Sequence, residues 1–159
     1  MDARFINAFL DVTLNVLKTM AFVEPNSGKP YIKRDGLANG DVSGIIGFTG
    51  AVTGSMALSF SEKSILKIVS NMLGEEIKEI NADIKDAVGE ITNIISGAAR
   101  KELELIGINV LAAIPTVVSG KGHSITHVLG GPSIIIPFEI EEGPFVVDIC
   151  INRMEQKAK

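Results

Sequence analysis

Cysteine is almost absent from this sequence. The single Cys150 lies in the apolar run of residues 146–151, so no internal disulfide can form and a reducing compartment suits the chain. This setting favours a small core residue over a catalytic thiol. The N-terminus also lacks a charged segment followed by a cleavable apolar stretch. We therefore expect a cytoplasmic protein.

Long apolar runs and basic clusters are missing as well. The most apolar stretch, residues 108–118, is interrupted by Pro115 and is much shorter than the roughly 20 residues of a transmembrane helix. We expect no membrane insertion. The 15 Lys and Arg residues are outnumbered by 19 Asp and Glu residues, giving a net charge of −4, and they form no basic stripe with interleaved aromatics. Nucleic acid is therefore not an expected partner.

Histidine is scarce, and the familiar enzyme motifs are missing. His123 and His127 are four positions apart in a strand-like segment, where alternation would place both on one face. Two histidines without a third ligand make a poor zinc site, so we predict no metal and a surface or edge-strand role. There is no nucleophile elbow, phosphate-binding P-loop or dinucleotide fingerprint, so the common hydrolase and nucleotide chemistries have no support.

The sequence does contain enough apolar residues for a core. Hydrophobic residues make up 46% of the chain and charged residues 21%, which predicts one globular domain over residues 1–159. Apolar residues at helical spacing predict a first helix over residues 2–21. A second helix begins after Ser61 and stops at Gly74, and a third begins at Asn81 or Asp83 and runs to about Leu105.

The other segments have strand character. Residues 44–61 predict two half-buried strands whose turn is marked by Gly50 and Gly54, and a short strand is expected around Tyr31 and Ile32. Further strands are predicted over residues 109–113, 119–128, 133–140 and 145–152. The expected fold is α/β of the α+β type: three long helices packed on a mainly antiparallel sheet of about six strands.

The third helix has two distinct faces. At about 100° per residue, one stripe is apolar and the opposite stripe is polar or small. Glu90 and Asn93 are three positions apart on the polar stripe, so a carboxylate and a carboxamide are neighbours that can contact one ligand. The apolar stripe comprises Ile84, Val88, Ile91, Ile95 and Ala98, and the polar stripe Asp86, Glu90, Asn93, Gly97 and Arg100.

Two glycines interrupt this helix. Each costs about 1 kcal/mol relative to alanine, so a reason for their presence is needed. Gly97 lies on the polar stripe and leaves the surface beside Asn93 bare, which suits the close approach of another molecule. Close helix-helix packing also favours glycine, and we expect that explanation for Gly89. An ordinary solvated helix surface is the alternative explanation of the polar stripe as a whole.

The segment from Asp86 to Asn93, DAVGEITN, resembles the D/S-x-x-x-E-x-x-N signature of the CheC/CheX chemotaxis phosphatases. It is followed by a tail of small residues, IISGAA, and by IPTVVSG at residues 114–120, which is similar to the family's proline-containing strand entry. The glycine-containing hairpin upstream also resembles the corresponding hairpin of the family. The likeness covers about residues 2–153, and the chain is identified as a CheX-like member.

A shift of 78 positions lays residues 15–21 over residues 93–99 and suggests an internal pseudo-two-fold repeat, in which the first helix is a degenerate copy of the third. Aligning Asn15 with Asn93 places Val12 where Glu90 stands. Some family members carry Glu and Asn on both helices, whereas CheX-like members carry one pair. We therefore expect one site, with Asn15 a vestige or a surface amide.

The resemblance also implies the activity. Family members hydrolyse the aspartyl phosphate of CheY-like response regulators, with Mg²⁺ in the regulator's own site and no cofactor bound by the phosphatase. It predicts that Asn93 orients the attacking water and that Glu90 docks the regulator, with Asp86 and Gly97 as partner-binding positions. CheX-like relatives form homodimers, and the apolar terminal strands here could supply a sheet edge for such pairing.

Two other functions remain open at this stage. One is a non-catalytic module that binds a response regulator or acts like the middle domain of a flagellar switch protein, for which the same fold is expected. The other is a small-ligand sensor with a cleft between the two pseudo-symmetric helices, although no residue singles out a ligand. The pairing of Glu90 with Asn93 favours the phosphatase.

Overall fold

The computed structural model describes residues 3–33, 40–127 and 132–153. Within these ranges the chain forms three helices and one antiparallel sheet of eight strands, which confirms the α+β prediction. The helices are α1 (Ala3–Ala21), α2 (Glu62–Leu73) and α3 (Ala82–Leu105). The strands are β1 (Asn26–Ser27), β2 (Tyr31–Ile32), β3 (Gly40–Gly50), β4 (Val52–Phe60), β5 (Val110–Ala112), β6 (Thr116–His123), β7 (Ile134–Ile140) and β8 (Gly143–Arg153).

Two long hairpins form the centre of the sheet. The strand order is β1-β7-β8-β4-β3-β5, so the β3-β4 hairpin and the β7-β8 hairpin meet where β4 pairs with β8. Helix α1 precedes the first hairpin in the chain and α3 precedes the second. This arrangement of two helix-then-hairpin units is the pattern that the internal repeat predicts.

The three helices cover one face of the sheet. Alternate strand residues point toward them, and their side chains join the helices in one buried core. The ring centroids of Phe9 on α1 and Phe48 on β3 are 6.0 Å apart, which ties α1 to the sheet. Met56 and Phe60 are buried in this core. The largest buried core side chains include Phe5, Phe9, Phe60, Phe138, Phe145, Leu17, Met56 and Leu58.

The chain covers part of the opposite face of the sheet as it passes from β6 toward β7. Strand β6 pairs with β3, whereas β7 lies on the far side of β8. The described part of this connection, residues 124–127, therefore lies over β4 and β8, where His127 contacts Ser55 of β4. Ser43, Ser59 and Cys150 on this face are buried, which confirms Cys150 as a core residue.

Several details of the sequence-based fold were wrong. The strand predicted over residues 119–128 is β6 (Thr116–His123), and the sheet has eight strands in place of about six. Gly54 is not at the turn but inside β4, where its φ of 141° and its closeness to the Cys150 carbonyl oxygen both require glycine. On α3, Ala99 is buried and Ala98 is only half-buried. Finally, β8 pairs on both sides, with β4 and β7, so this terminal strand offers no sheet edge.

Candidate active site

Helix α3 carries the predicted site, and its ends are set by local sequence. Asn81 caps the N-terminus because its side-chain oxygen accepts a hydrogen bond of 3.0 Å from the backbone nitrogen of Ile84. The helix then continues for 24 residues to Leu105. Gly107, with a φ of 83°, follows it and reverses the chain toward β5. The predicted bounds of this helix are confirmed.

A close contact fixes the middle of α3 against the sheet. Thr92 is fully buried, and its hydroxyl donates a 2.7 Å hydrogen bond to the carbonyl oxygen of Val88. It faces Gly44 of β3, where a Cβ atom would lie only 1.9 Å from the Thr92 Oγ1. The absence of a side chain at Gly44 therefore lets the helix lie close to the strand. The next residue, Asn93, is turned by about 100° around the helix axis and is exposed.

The structure places the predicted pair on the outside of α3. Glu90 and Asn93 are both exposed, while the neighbouring Ile91 and Thr92 are fully buried. Because positions three apart on a helix are neighbours, the carboxylate and the amide share one solvent-facing surface. Asp86 is exposed one turn before Glu90. We call the surface formed by Asp86, Glu90, Asn93 and Gly97 the outer face of α3.

The two glycines of α3 have different surroundings. A Cβ atom on Gly89 would lie 3.3 Å from a methyl group of Val117 on β6, so this glycine allows close packing against a strand. The sequence predicted close packing at Gly89 against another helix, and the neighbour is instead a strand. A Cβ atom on Gly97 would have only the Arg100 Nη2 atom within 4 Å, at 3.8 Å. Packing within the described chain therefore gives no reason for glycine at position 97.

Helix α1 presents a different surface at the equivalent positions. Val12 is buried, with 8% of its surface exposed, and contributes to the hydrophobic core. Asn15 is exposed and lines a small cleft of about 340 Å³ with Lys18 and Glu24. No carboxylate stands at position 12 to accompany this amide. The geometry is consistent with a single Glu and Asn pair on α3.

A second polar cluster lies on the sheet face away from the helices. Asp148 of β8 has a side chain with no exposed surface, and its Oδ2 atom is 2.9 Å from the Lys33 Nζ atom. Its Oδ1 atom is 2.8 Å from the His127 Nε2 atom, and the His127 Nδ1 atom is 2.5 Å from the Ser55 hydroxyl. Lys33 also donates to the carbonyl oxygen of Ile125. We call Lys33, Ser55, His127 and Asp148 the buried cluster.

The charge state of Asp148 follows from its partners. Burial opposes ionisation and by itself raises the pKa of this carboxyl. The hydrogen bonds from His127 and Lys33, together with their charges, outweigh burial and lower the pKa below its ordinary value of 3.8. Asp148 is therefore a buried carboxylate. A lone acidic residue inside the apolar run of residues 146–151 was the sequence signal for this cluster, and we did not predict it.

The two histidines have structural roles. His123 ends β6 and is half-buried, with its Nε2 atom 2.6 Å from the Ser43 hydroxyl. His127 lies beyond the strand and is buried, so the predicted surface or edge-strand role was wrong for it. The connection leaves β6 before His127, and the side chain turns onto the sheet. Within the described ranges, no group of three or more potential metal ligands occurs.

Comparisons with known proteins agree with the predicted resemblance. Residues 42–139 match the family model described as chemotaxis phosphatase CheX. A curated relative, the CheY-P phosphatase CheX of Thermotoga maritima, is 34% identical over 126 residues, which are 79% of this chain and 81% of the relative. None of the described helices combines the length and apolar character that crossing a membrane requires.

Solved structures share the fold. A CheC-like superfamily protein from Shewanella sp. PV-4 is 46% identical, with a TM-score of 0.91 over 96% of this chain and 99% of that chain. The CheX-CheY-BeF3-Mg²⁺ complex of Borrelia burgdorferi contains a chain that is 27% identical, with a TM-score of 0.80 over 94% of this chain and 98% of its own length. The chain belongs to the chemotaxis phosphatase CheX family.

Proposed function

We propose that this chain hydrolyses the aspartyl phosphate of a CheY-like response regulator and that the outer face of α3 is its active site. The observation that carries the proposal is the joint exposure of Glu90 and Asn93 on one turn of a helix that is anchored to the sheet. Family membership supplies the class of reaction, since the Thermotoga maritima relative is a CheY-P phosphatase.

The role of Asn93 follows from the chemistry of phosphoryl transfer. A water molecule attacks phosphorus, the bond between phosphorus and the aspartyl oxygen breaks, and inorganic phosphate and a free carboxylate result. The transition state is loose, so placing the water in line matters more than a strong base. The Asn93 carboxamide can accept a hydrogen bond from that water and donate one to a phosphoryl oxygen. A carboxylate at position 93 would repel the anionic group.

Glu90 supplies the complementary charge. We assign to it an ion pair with the lysine of the regulator's active site. Such a contact fixes the rotation of α3 over the phosphoryl group and so places Asn93. Asp86 lies one turn earlier and can add to docking or simply favour the helix N-terminus through the macrodipole. Gly97 leaves room for the regulator's surface beside Asn93.

The partner in this proposal is the phosphorylated regulator, with Mg²⁺ held in the regulator's own site. Support comes from the Borrelia burgdorferi complex, in which CheX is bound to CheY together with BeF3 and Mg²⁺. The phosphatase chain is expected to need no cofactor of its own. A cytoplasmic homodimer remains our expectation from the family resemblance.

A phosphate-release assay tests the proposal. A CheY-like regulator is phosphorylated with a small-molecule phosphodonor in the presence of Mg²⁺, and the decay of the phosphorylated form is followed with and without this protein. We expect acceleration by the wild-type protein and its loss in Asn93→Ala, with regulator binding nearly intact. Full activity of Asn93→Ala would remove this residue from its role.

The same assay addresses the non-catalytic alternative. A binding module would associate with the regulator without accelerating dephosphorylation, and Asn93→Ala would then change nothing. Glu90→Lys is expected to weaken association as well as turnover, because reversing this charge places two cations opposite each other. Binding that tolerates Glu90→Lys would show that the regulator docks elsewhere.

A further inference from the structure

Arg100 extends the outer face of α3 by one turn beyond Gly97 but has no role in the proposed mechanism. It follows Asn93 by seven positions, which is two helical turns, so both residues fall on the same side of the helix. Its side chain is half-buried. This half-burial is unexpected on a helix side that merely faces water, because a solvated arginine normally extends its charged group into solvent.

The guanidinium of Arg100 points back toward the active site. Side chains on a helix lean toward its N-terminus, and the Arg100 Nη2 atom lies 3.8 Å from the place that a Gly97 Cβ atom would occupy. Gly97 follows Asn93 by four residues, or about 6 Å along the axis. The charged group therefore lies over the bare surface of Gly97, one turn from the amide of Asn93.

This charge is unpaired within the described chain. The Nε atom of Arg100 is buried and has no hydrogen-bond partner. Among the described residues Arg100 forms no ion pair, although the carboxylate of Glu104 is only one turn further along the helix. A buried donor without a partner is costly. An arginine at this position is explained if another molecule supplies the hydrogen-bond acceptor when it binds.

The surroundings of Arg100 indicate that this molecule is a protein. The residue lines an open cleft of about 630 Å³ between the end of α3 and β5, together with Lys101, Asn109 and Leu111. Leu111 is 67% exposed. An exposed apolar side chain beside an unpaired arginine is typical of protein interfaces, where Arg is enriched.

We propose that Arg100 is a docking residue for the response regulator and that its guanidinium binds an oxyanion of that partner. Two sources have the same chemistry: a carboxylate at the rim of the regulator's phosphorylation site, or a phosphoryl oxygen itself. The planar guanidinium can donate two parallel hydrogen bonds to either group. The inference rests on the proposed phosphatase function.

The test uses Arg100→Met, which keeps an unbranched apolar stem and removes the charge. Lys67→Met on α2 is the matched control, because it removes an exposed cation from a helix remote from the outer face of α3. Binding is titrated with both phosphorylated and unphosphorylated regulator, and kcat and KM for dephosphorylation are measured at low and high salt. Thermal unfolding and gel filtration verify the fold and oligomeric state of each variant.

We expect Arg100→Met to weaken binding of the regulator about ten-fold at low salt and by less at high salt. Lys67→Met should bind the regulator like the wild type. A carboxylate partner predicts equal weakening for both forms of the regulator, a higher KM and an unchanged kcat. A phosphoryl partner predicts weakening for the phosphorylated form alone and a lower kcat. Arg100→Lys should restore part of the affinity, because it returns the charge without the bidentate geometry.

The proposal is overturned if Arg100→Met binds and turns over like Lys67→Met, or if it changes only the oligomeric state. Its failure is distinguishable from failure of the phosphatase function. Should the wild-type protein bind the regulator without accelerating dephosphorylation, the titrations still decide whether Arg100 contacts the partner. Should the wild type be active and depend on Asn93, unchanged kinetics in Arg100→Met would refute the docking role alone.

Discussion

The outer face of α3 and the buried cluster on the opposite side of the sheet use similar side chains in opposite ways. Glu90 and Asn93 are exposed, and no described residue bonds their side chains. Asp148 is sealed from solvent and has two partners, Lys33 and His127. The polar groups of the outer face of α3 are available to bind another molecule. Those of the buried cluster are already bonded to one another within the fold.

This difference separates stability from function. A buried carboxylate must be paired, so its partners are part of what holds the connection between β6 and β7 on the sheet. An exposed amide on a helix contributes little to stability and can be changed at small cost to the fold. Substitutions in the two regions should therefore have reciprocal effects, and the following experiments test that contrast.

The largest effect on stability is expected for Asp148→Ala. The substitution leaves the half-buried Lys33 ammonium without its carboxylate and the buried His127 without an acceptor, so the free energy of unfolding should fall by about 3–5 kcal/mol. Urea denaturation measures the change. Glu139→Ala, which removes an exposed carboxylate from β7, is the control and should stay within about 0.5 kcal/mol of wild type. A similar loss in both variants would show that the buried cluster has no special role.

Asn93→Ala should have the reciprocal profile. We expect dephosphorylation of the regulator to slow by about 100-fold, because the attacking water is no longer held in line, and unfolding to change by no more than about 0.5 kcal/mol. Single-turnover decay and urea denaturation give the two values. Asn15→Ala removes the exposed amide at the equivalent position of α1 and should leave the rate unchanged. Equal losses from the two amides would contradict a single site.

Gly44→Ala should affect both properties, because this glycine lets α3 lie against the sheet. The new methyl group would meet the Thr92 Oγ1 atom at 1.9 Å, so the helix must shift. Such overpacking costs about 1–3 kcal/mol, and displacement of Asn93 should lower the phosphatase rate. Gly47→Ala is the matched control on β3, since its nearest contact is 3.9 Å away. Wild-type behaviour of Gly44→Ala would show that the contact does not set the helix position.

The smallest expected effect is on the stability of the protein at acid pH. Because the pKa of Asp148 is lowered in the folded protein, the folded state favours its ionised form. Its stabilising contribution is complete above the unfolded-state pKa and is lost as the pH falls through the lower folded-state value. Urea denaturation over a pH series that brackets 3.8 should show a shallower acid decline in Asp148→Asn than in wild type. Parallel declines would assign the acid sensitivity to other carboxyl groups.

Local patterns predicted most of the outer face of α3. The apolar stripe, the cap at Asn81 and the stop near Gly107 define the helix and its orientation, because a helix with one apolar side must bury that side. The exposure of Glu90 and Asn93 follows from the same periodicity. Their assignment to a phosphatase came from the family resemblance, since exposed carboxylates and amides are common on helices.

The buried cluster shows what local patterns miss. Lys33, Ser55, His127 and Asp148 come from four separate segments, and their contacts depend on the connection between β6 and β7 crossing the sheet. Asp148 within an apolar strand signals a partner without identifying it. The position of β8 between β4 and β7 could not be predicted either. Alternation of apolar and polar residues in one strand shows which side is buried but not which strands are its neighbours.

The sequence alone determined the helices, most strands, the pairing of Glu90 with Asn93 on one face and the resemblance to the CheC/CheX family. These are properties of short segments, where side-chain period and backbone preference act locally. Tertiary structure decided that Gly44 leaves room for the Thr92 side chain and that Arg100 lies unpaired over Gly97. It also decided that Asp148 is shielded from water. Each depends on groups brought together by the packing of distant segments, where burial and charge act through space.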